Sequence, residues 1–270
     1  MSQRTRHSVI LGLSSLILSL FLLEGVLRIA DPLGFYAYRV GIRALYANLL
    51  PDSRGYTFGA GKYDFGSFGV TIDTRGNRVM PEAHESCTIA WIGDSMTFGW
   101  GVEDNETFAY RIAQGYPEAQ FINTGKAAYS AKNLRMTAQS TPAKGYIYIP
   151  MYNDNIVSPF LQPTRSSPPL ALRTYLGNSQ RLGSTRHEAQ DWQVDLSAML
   201  SEGRWLILAM DKPSPVLDWL ITEYPETVIV TTYTQSVSFA DEHPSVNGHG
   251  ELVDVMEPHV RTFVDDICNQ

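Results

Sequence analysis

From Cys87 onward the chain alternates short apolar runs with stretches of helical spacing, and this alternation limits the folds open to it more than any other feature. CTIAWIG (87–93), QFIN (120–123), GYIYIPM (145–151), RWLILAM (204–210) and TVIVTT (227–232) read as strands. Glu106 to Tyr116 sets Phe108, Ile112 and Ala113 on one helical face. Helices are also expected over 130–140, in PSPVLDWLITEY with its early prolines, and in the closing VNGHGELVDVMEPHVRTFVDDI, where Pro258 is expected to introduce a kink. Strands and helices in alternation with short connections predict a doubly wound parallel sheet. In such sheets ligands bind beyond the C-terminal strand ends. Three polar turns, GDS, NTG and YNDN, each follow a predicted strand and so converge on one edge.

The chain divides into three parts. Residues 1–30 carry Arg4, Arg6 and His7 ahead of an uncharged run from Ser8 to Leu23, which reaches a membrane-spanning length only if counted through Glu24 to Leu27. The reading favoured is an uncleaved signal anchor; a cleaved signal peptide is the rival, although no Ala-x-Ala-like site follows. Arg28, Arg39 and Arg43 compete with the N-terminal positives for orientation, and the usual outcome for one N-terminal anchor leaves the folded domain outside the cytoplasm. Residues 31–86, rich in Gly, Tyr and Asp without clear periodicity, read as a connector packing on the domain. Residues 87–270 form that domain. Within it 155–190 fits no regular element, with Pro159, Pro163, Pro168 and Pro169 among Arg165, Arg173, Arg181 and Arg186, and an insertion of this kind reads as a lid or binding loop. The only two cysteines, Cys87 and Cys268, open the first strand and close the last helix, which leaves a disulfide and two buried thiols both open. With a formal charge of −7 and no Lys/Arg block, nucleic-acid binding is disfavoured.

The chemistry begins at Ser95, at a strand-to-helix turn where a hydroxyl projects and its own N–H lies at a helix start. A serine hydroxyl needs a base to take its proton and a group to orient that base. Of six histidines, His243 alone has an acid placed to orient it: Asp241, two residues earlier in FADEHPSVNGHG. Donors for a developing oxyanion are the N–H of Ser95, the N–H of Gly125 and the amide of Asn153. Each signal has an ordinary alternative. GDS is also a common capped turn, Asp-x-His a common surface pair, and Trp100 either a core aromatic or a wall of an acyl pocket. His249 reads as a helix-start residue rather than the base. Asn153-Asp154-Asn155 lacks the ligand spacing and glycine of a calcium loop, so neither metal nor cofactor is expected. The order of the set, with nucleophile first, donors after successive strands, and acid and base last, is what favours catalysis.

IGDSMTFGWGV, INTG, YNDN and DEHPSVNGH resemble, in order, the nucleophile, glycine, asparagine and Asp–His blocks of the SGNH/GDSL hydrolase family, and an anchor ending EGVLRI is similar to its membrane-anchored bacterial members. The resemblance covers about 87–262 plus the anchor. It implies a three-layer α/β/α flavodoxin-like fold with a parallel five-stranded sheet, Ser95 as nucleophile, Gly125 and Asn153 as oxyanion donors, and Asp241 with His243 completing the triad. Two departures stand out. Met151 occupies a position usually held by glycine, and the acid precedes the base by two residues rather than three. The shorter spacing resembles branches acting on acetylated polysaccharide. The expected function is a single-pass, membrane-anchored esterase of the bacterial inner membrane, removing a small acyl group, often acetyl, from a periplasmic glycan. An O-acetyltransferase with the same triad and a catalytically silent glycan-binding module are the alternatives.

Overall fold

The computed structural model of the chain describes residues 3–83, 87–157, 171–176, 187–189, 191–238 and 240–269. Five strands form a wholly parallel sheet: β1 (Cys87–Gly93), β2 (Ala119–Asn123), β3 (Gly145–Ile149), β4 (Trp205–Met210) and β5 (Val228–Thr231), in the order β5-β4-β3-β1-β2. The central strands are apolar along their whole length because both faces are covered. On one face lie Trp91, Ile147 and Leu208 with Phe108, Leu252 and Val260; on the other, Ile92, Tyr148 and Ile207 with Leu134, Leu196 and Leu220. The order reverses between β1 and β3. Ser95 and Asn153, which follow those two strands, therefore emerge on either side of the crevice that this reversal opens.

The helices are α1 (Gln3–Ala30), α2 (Phe35–Ala47), α3 (Ser95–Phe98), α4 (Phe108–Ala113), α5 (Ala131–Ser140), α6 (Ala171–Leu176), α7 (Trp192–Leu200), α8 (Pro215–Glu223) and α9 (Val246–Cys268). α7 stands where the sequence reading assigns no element; its Trp192, Leu196, Met199 and Leu200 are buried at helical spacing. Ser214 caps α8 by accepting from the Leu217 N–H, with Pro215 opening the first turn. α9 runs through Pro258 as one helix of 23 residues. α1 leaves most of its apolar side chains exposed, from Leu23 at 43% to Ile29 at 89%, and is long and apolar enough over Thr5–Ala30 to cross a membrane.

Residues 31–83 do more than connect. Two antiparallel hairpins (49–52 with 55–58, and 61–64 with 69–72) and α2 build an aromatic cluster of Phe58, Phe65, Phe68, Phe98 and Trp100 against the sheet. Arg78 bridges antiparallel to Asn123 at the end of β2. Cys87 and Cys268 are joined in a disulfide, Cα atoms 5.5 Å apart, at the strand ends opposite Ser95. Most of the expected lid at 155–190, including Pro159, Pro163, Pro168, Pro169, Arg165, Arg181 and Arg186, lies outside the described residues, as does the side chain of Arg173.

Candidate active site

Strand β1 delivers Ser95 by ending on a glycine with no room for a side chain. A Cβ at Gly93 would lie 2.1 Å from Thr97 Oγ1 and 2.9 Å from the Ile149 carbonyl. Asp94 caps α3, its Oδ1 accepting from Met96 N–H at 2.9 Å. Ser95 is then the first helical residue, where an N–H has no acceptor within the helix. At the other end of α3, the buried guanidinium of Arg78 donates to the carbonyls of Phe98 (2.7 Å), Gly99 (2.6 Å) and Val102 (2.7 Å) and to Asp104 (2.8 Å). Those bonds fix the loop that carries Trp100.

The turn after β5 carries Asp241 and His243 to the same edge. His243 Nε2 stands 2.7 Å from Ser95 Oγ, and His243 Nδ1 stands 2.6 Å from Asp241 Oδ1. Asp241 is 5% exposed, and its second oxygen accepts from Trp100 Nε1–H at 2.9 Å. With both oxygens engaged, the carboxylate is fixed, and Nδ1–H toward Asp241 leaves Nε2 free to accept from the serine hydroxyl. Trp100 therefore stands behind the acid, with its ring also packed on Phe68 and Phe65. The sequence reading weighed it as core or pocket wall and missed this hydrogen bond.

The proposed donors separate. Asn153 lines the cleft and hydrogen-bonds the Asp94 carboxylate through its amide. A carboxamide has two N–H donors, so this bond orients the group and leaves one N–H. Gly125 is not brought to the cleft. Its N–H donates to Asn123 Oδ1 at 3.0 Å, while Asn123 Nδ2 donates to the Thr97 carbonyl at 2.8 Å. The glycine serves a close approach instead: a Cβ there would lie 2.3 Å from Phe98 N. The residue of this turn with unusual backbone at the cleft is Ala128, which lines it with φ 62°, a left-handed conformation rare outside glycine.

Buried polar groups lie behind the site. Asp94 and Asp154 are both buried beside each other; burial first, and for Asp154 the neighbouring Asp94 charge second, push their pKa values above the ordinary carboxylate range. Asp154 Oδ2 accepts from Tyr148 Oη–H (2.6 Å) and Met151 N–H (2.9 Å). Met151 lines the cleft floor. His249 lies in the core, its Nδ1 accepting from Phe108 N–H at 3.1 Å, and burial lowers its pKa to about 3. It is held neutral and away from Ser95. The described residues contain no group of three or more His, Cys, Asp or Glu side chains arranged to hold a metal ion.

The cleft encloses about 290 Å³. It is lined by Ser95, Asn153 and His243 and, from α2, by Tyr38, Ile42, Leu45 and Tyr46. At the rim Lys212 pairs with Glu242 at 2.8 Å and lies 5.6 Å from the Tyr152 ring centroid.

No protein-family model matches the chain, and no curated protein matches it. Among solved structures it is similar to the psychrotrophic esterase EstA from Pseudoalteromonas sp. (11% identity, 66% of this chain and 98% of that one, TM-score 0.42). It is also similar to a member of the lipolytic protein G-D-S-L family from Veillonella parvula DSM 2008 (13%, 65% and 98%, TM-score 0.40). A third is Axe2, an acetyl-xylooligosaccharide esterase from Geobacillus (14%, 69% and 96%, TM-score 0.37). At these identities and TM-scores the likeness stands as a finding alone, and the chemistry rests on the chain's own geometry.

Proposed function

We propose that this chain is a membrane-tethered serine esterase of the SGNH/GDSL type that removes a small acyl group, often acetyl, from an extracytoplasmic glycan or related carbohydrate. The observation that carries the reading is the continuous path from Ser95 Oγ through His243 (2.7 Å) to Asp241 (2.6 Å), in which the serine and the histidine lie 148 residues apart in the chain.

In this reading His243 Nε2 takes the hydroxyl proton as Ser95 Oγ bonds to the ester carbonyl carbon. The carbonyl oxygen becomes the oxyanion, held by the N–H of Ser95, the free amide N–H of Asn153 and the N–H of Ala128. Ala128 replaces Gly125 in that role because the Gly125 N–H is already engaged. A left-handed alanine costs on the order of 1–3 kcal/mol, and strain of that kind gathers where backbone direction matters to function. The tetrahedral adduct collapses as His243 returns the proton to the departing alkoxide. Water, deprotonated by the same imidazole, then attacks the acyl-serine and releases the acid. Asp241 holds the ring and stabilises the imidazolium throughout.

A sugar hydroxyl entering in place of water would make the same site an O-acetyltransferase; the two-residue Asp241–His243 spacing points to a carbohydrate ester without deciding between hydrolysis and transfer. Hydrolysis of p-nitrophenyl acetate by the full chain is the direct test. Ser95→Ala is expected to abolish it, and undiminished turnover would end the nucleophile assignment. Asn153→Ala is expected to lower kcat by about 10²–10³, the usual loss for one oxyanion donor. Acyl transfer to an added glycan, rather than release as free acid, would identify the transferase.

A further inference from the structure

The segment that follows α1 is built into the catalytic edge. Three residues after the helix ends, the Leu33 carbonyl accepts from the Ala240 N–H at 3.0 Å, and Ala240 immediately precedes the acid Asp241. Gly34, at φ 72°, lies so close to the same loop that a Cβ would come within 2.2 Å of Ser238 Oγ. Asp31 secures the corner: one oxygen accepts from Tyr36 N–H (3.1 Å) and Tyr175 Oη–H (2.6 Å), the other from Ala37 N–H (2.8 Å). Glu24, still inside α1, accepts from the N–H groups of Ala171 and Leu172 at 2.8 and 2.7 Å. From this corner α2 contributes Tyr38, Ile42, Leu45 and Tyr46 to the lining of the cleft that also holds Ser95.

These contacts set a distance. Three extended residues reach at most about 11 Å. One hydrogen bond and one further residue then put the Asp241 backbone within roughly 20 Å of the end of the apolar helix. The headgroup layer of a bilayer occupies about 5–8 Å of that on each side. Tyr38 and Tyr46 on α2 bring rings suited to the interface. Arg28, Arg39 and Arg43 fall within the same sixteen residues, close to where the chain leaves the bilayer.

We infer that the cleft draws its ester from the membrane surface: the substrate is an amphiphile whose acylated, sugar-like headgroup enters between α2 and Ser95 while its apolar part stays in the bilayer. This rests on the esterase reading of Ser95 and on α1 as the span. The carbonyl bond to Ala240 makes the anchor's exit a fixed part of the site rather than a free tether, so the cleft is held within about 20 Å of the end of the apolar helix and within reach of a lipid headgroup.

Two measurements on the full chain in phosphatidylethanolamine–phosphatidylglycerol vesicles test it. In the first, Ser95→Cys supplies a free thiol, since both native cysteines are in the disulfide, and a bimane label there is challenged with headgroup-nitroxide lipid. Strong quenching is expected; a label as bright as in vesicles without nitroxide would overturn the location, whatever Ser95 does chemically. In the second, the unsubstituted chain is given an O-acetylated glucosyl diacylglycerol in the same bilayer, or the acetylated methyl glucoside in solution, at equal bulk concentration. Deacetylation of the lipid-borne ester should be at least about tenfold faster. Equal or faster turnover of the methyl glucoside would overturn the proposal while leaving the esterase standing. Turnover of neither would overturn the substrate inference, and the esterase reading with it only if p-nitrophenyl acetate is also left intact.

Discussion

The indole of Trp100 donates to Asp241 Oδ2 at 2.9 Å, opposite the oxygen that holds His243. Asp241 is thus held from two parts of the chain far apart, by His243 through both its ring and its backbone N–H (3.2 Å) and by Trp100. Trp100→Phe keeps an aromatic ring beside Phe65 and Phe68 but leaves a buried carboxylate oxygen unpaired. The loss of such a partner costs about 1–3 kcal/mol, or roughly 5- to 150-fold if it falls on the transition state. The expected result is a fall in kcat for p-nitrophenyl acetate with KM little changed. Unaltered kcat would reduce Trp100 to a packing residue.

Gly125 and Ala128 make opposite predictions. Gly125→Ala drives a methyl into the Phe98 backbone, so the protein should lose thermal stability, or fail to fold, before any catalytic effect is measurable. Ala128→Gly relieves a left-handed alanine while keeping its N–H. It should leave kcat within about twofold and leave Tm unchanged or raise it, because strain relief opposes the added unfolded-chain entropy. A Gly125→Ala protein with unchanged Tm and lost kcat would restore Gly125 as the oxyanion donor.

Lys126 gives a pH dependence. It is 1% exposed, its Nζ donates to the carbonyls of Thr124 and Gly125 at 3.3 Å, and burial lowers its pKa to about 7 from 10.5. Between those two values the unfolded chain holds a proton that the folded one has released. Stability should therefore rise with pH across that window, by at most about 1.4 kcal/mol per unit, and the cost of the buried cation is complete below pH 7. Urea unfolding in detergent at pH 6 to 10 measures the slope. Lys126→Met should flatten it; an equal slope in both proteins would exclude Lys126 as its source.

The disulfide lies at the far end of the sheet from Ser95, joining residues 181 apart in the chain. Closing a loop of that length is worth roughly 5 kcal/mol in the chain-entropy account. Cys268→Ser should accordingly lower Tm by many degrees while kcat, measured well below the new Tm, stays within about twofold. A comparable loss of kcat at low temperature would mean that the two ends of the sheet are coupled.

Much of this was legible because parallel strands buried on both faces are continuous apolar runs: CTIAWIG and RWLILAM announce themselves, and the residue after each strand lands on the active edge. The placement of Ser95 and Asn153 at that edge followed from that rule, and the pairing of Asp241 with His243 from their two-residue spacing. Trp100 did not, since its acceptor lies 141 residues away and no local pattern encodes a hydrogen bond of that reach. Gly125 misled because a glycine after a strand suggests access to a ligand, whereas this one makes room for the Thr97–Phe98 backbone. Ala128 was hidden by its side chain, which disfavours the φ it adopts. Residues 31–83 lacked periodicity because four-residue hairpins are too short to display it, and their aromatic cluster forms only against Phe98 and Trp100.

The central claim is that Ser95 is a nucleophile activated by His243. The most direct measurement treats the full chain with a fluorophosphonate and locates the adduct by peptide mass spectrometry. A phosphonyl group on Ser95, lost or greatly slowed in His243→Ala, is the predicted result. A protein left unlabelled, or labelled on another residue with Ser95→Ala undiminished, would contradict it.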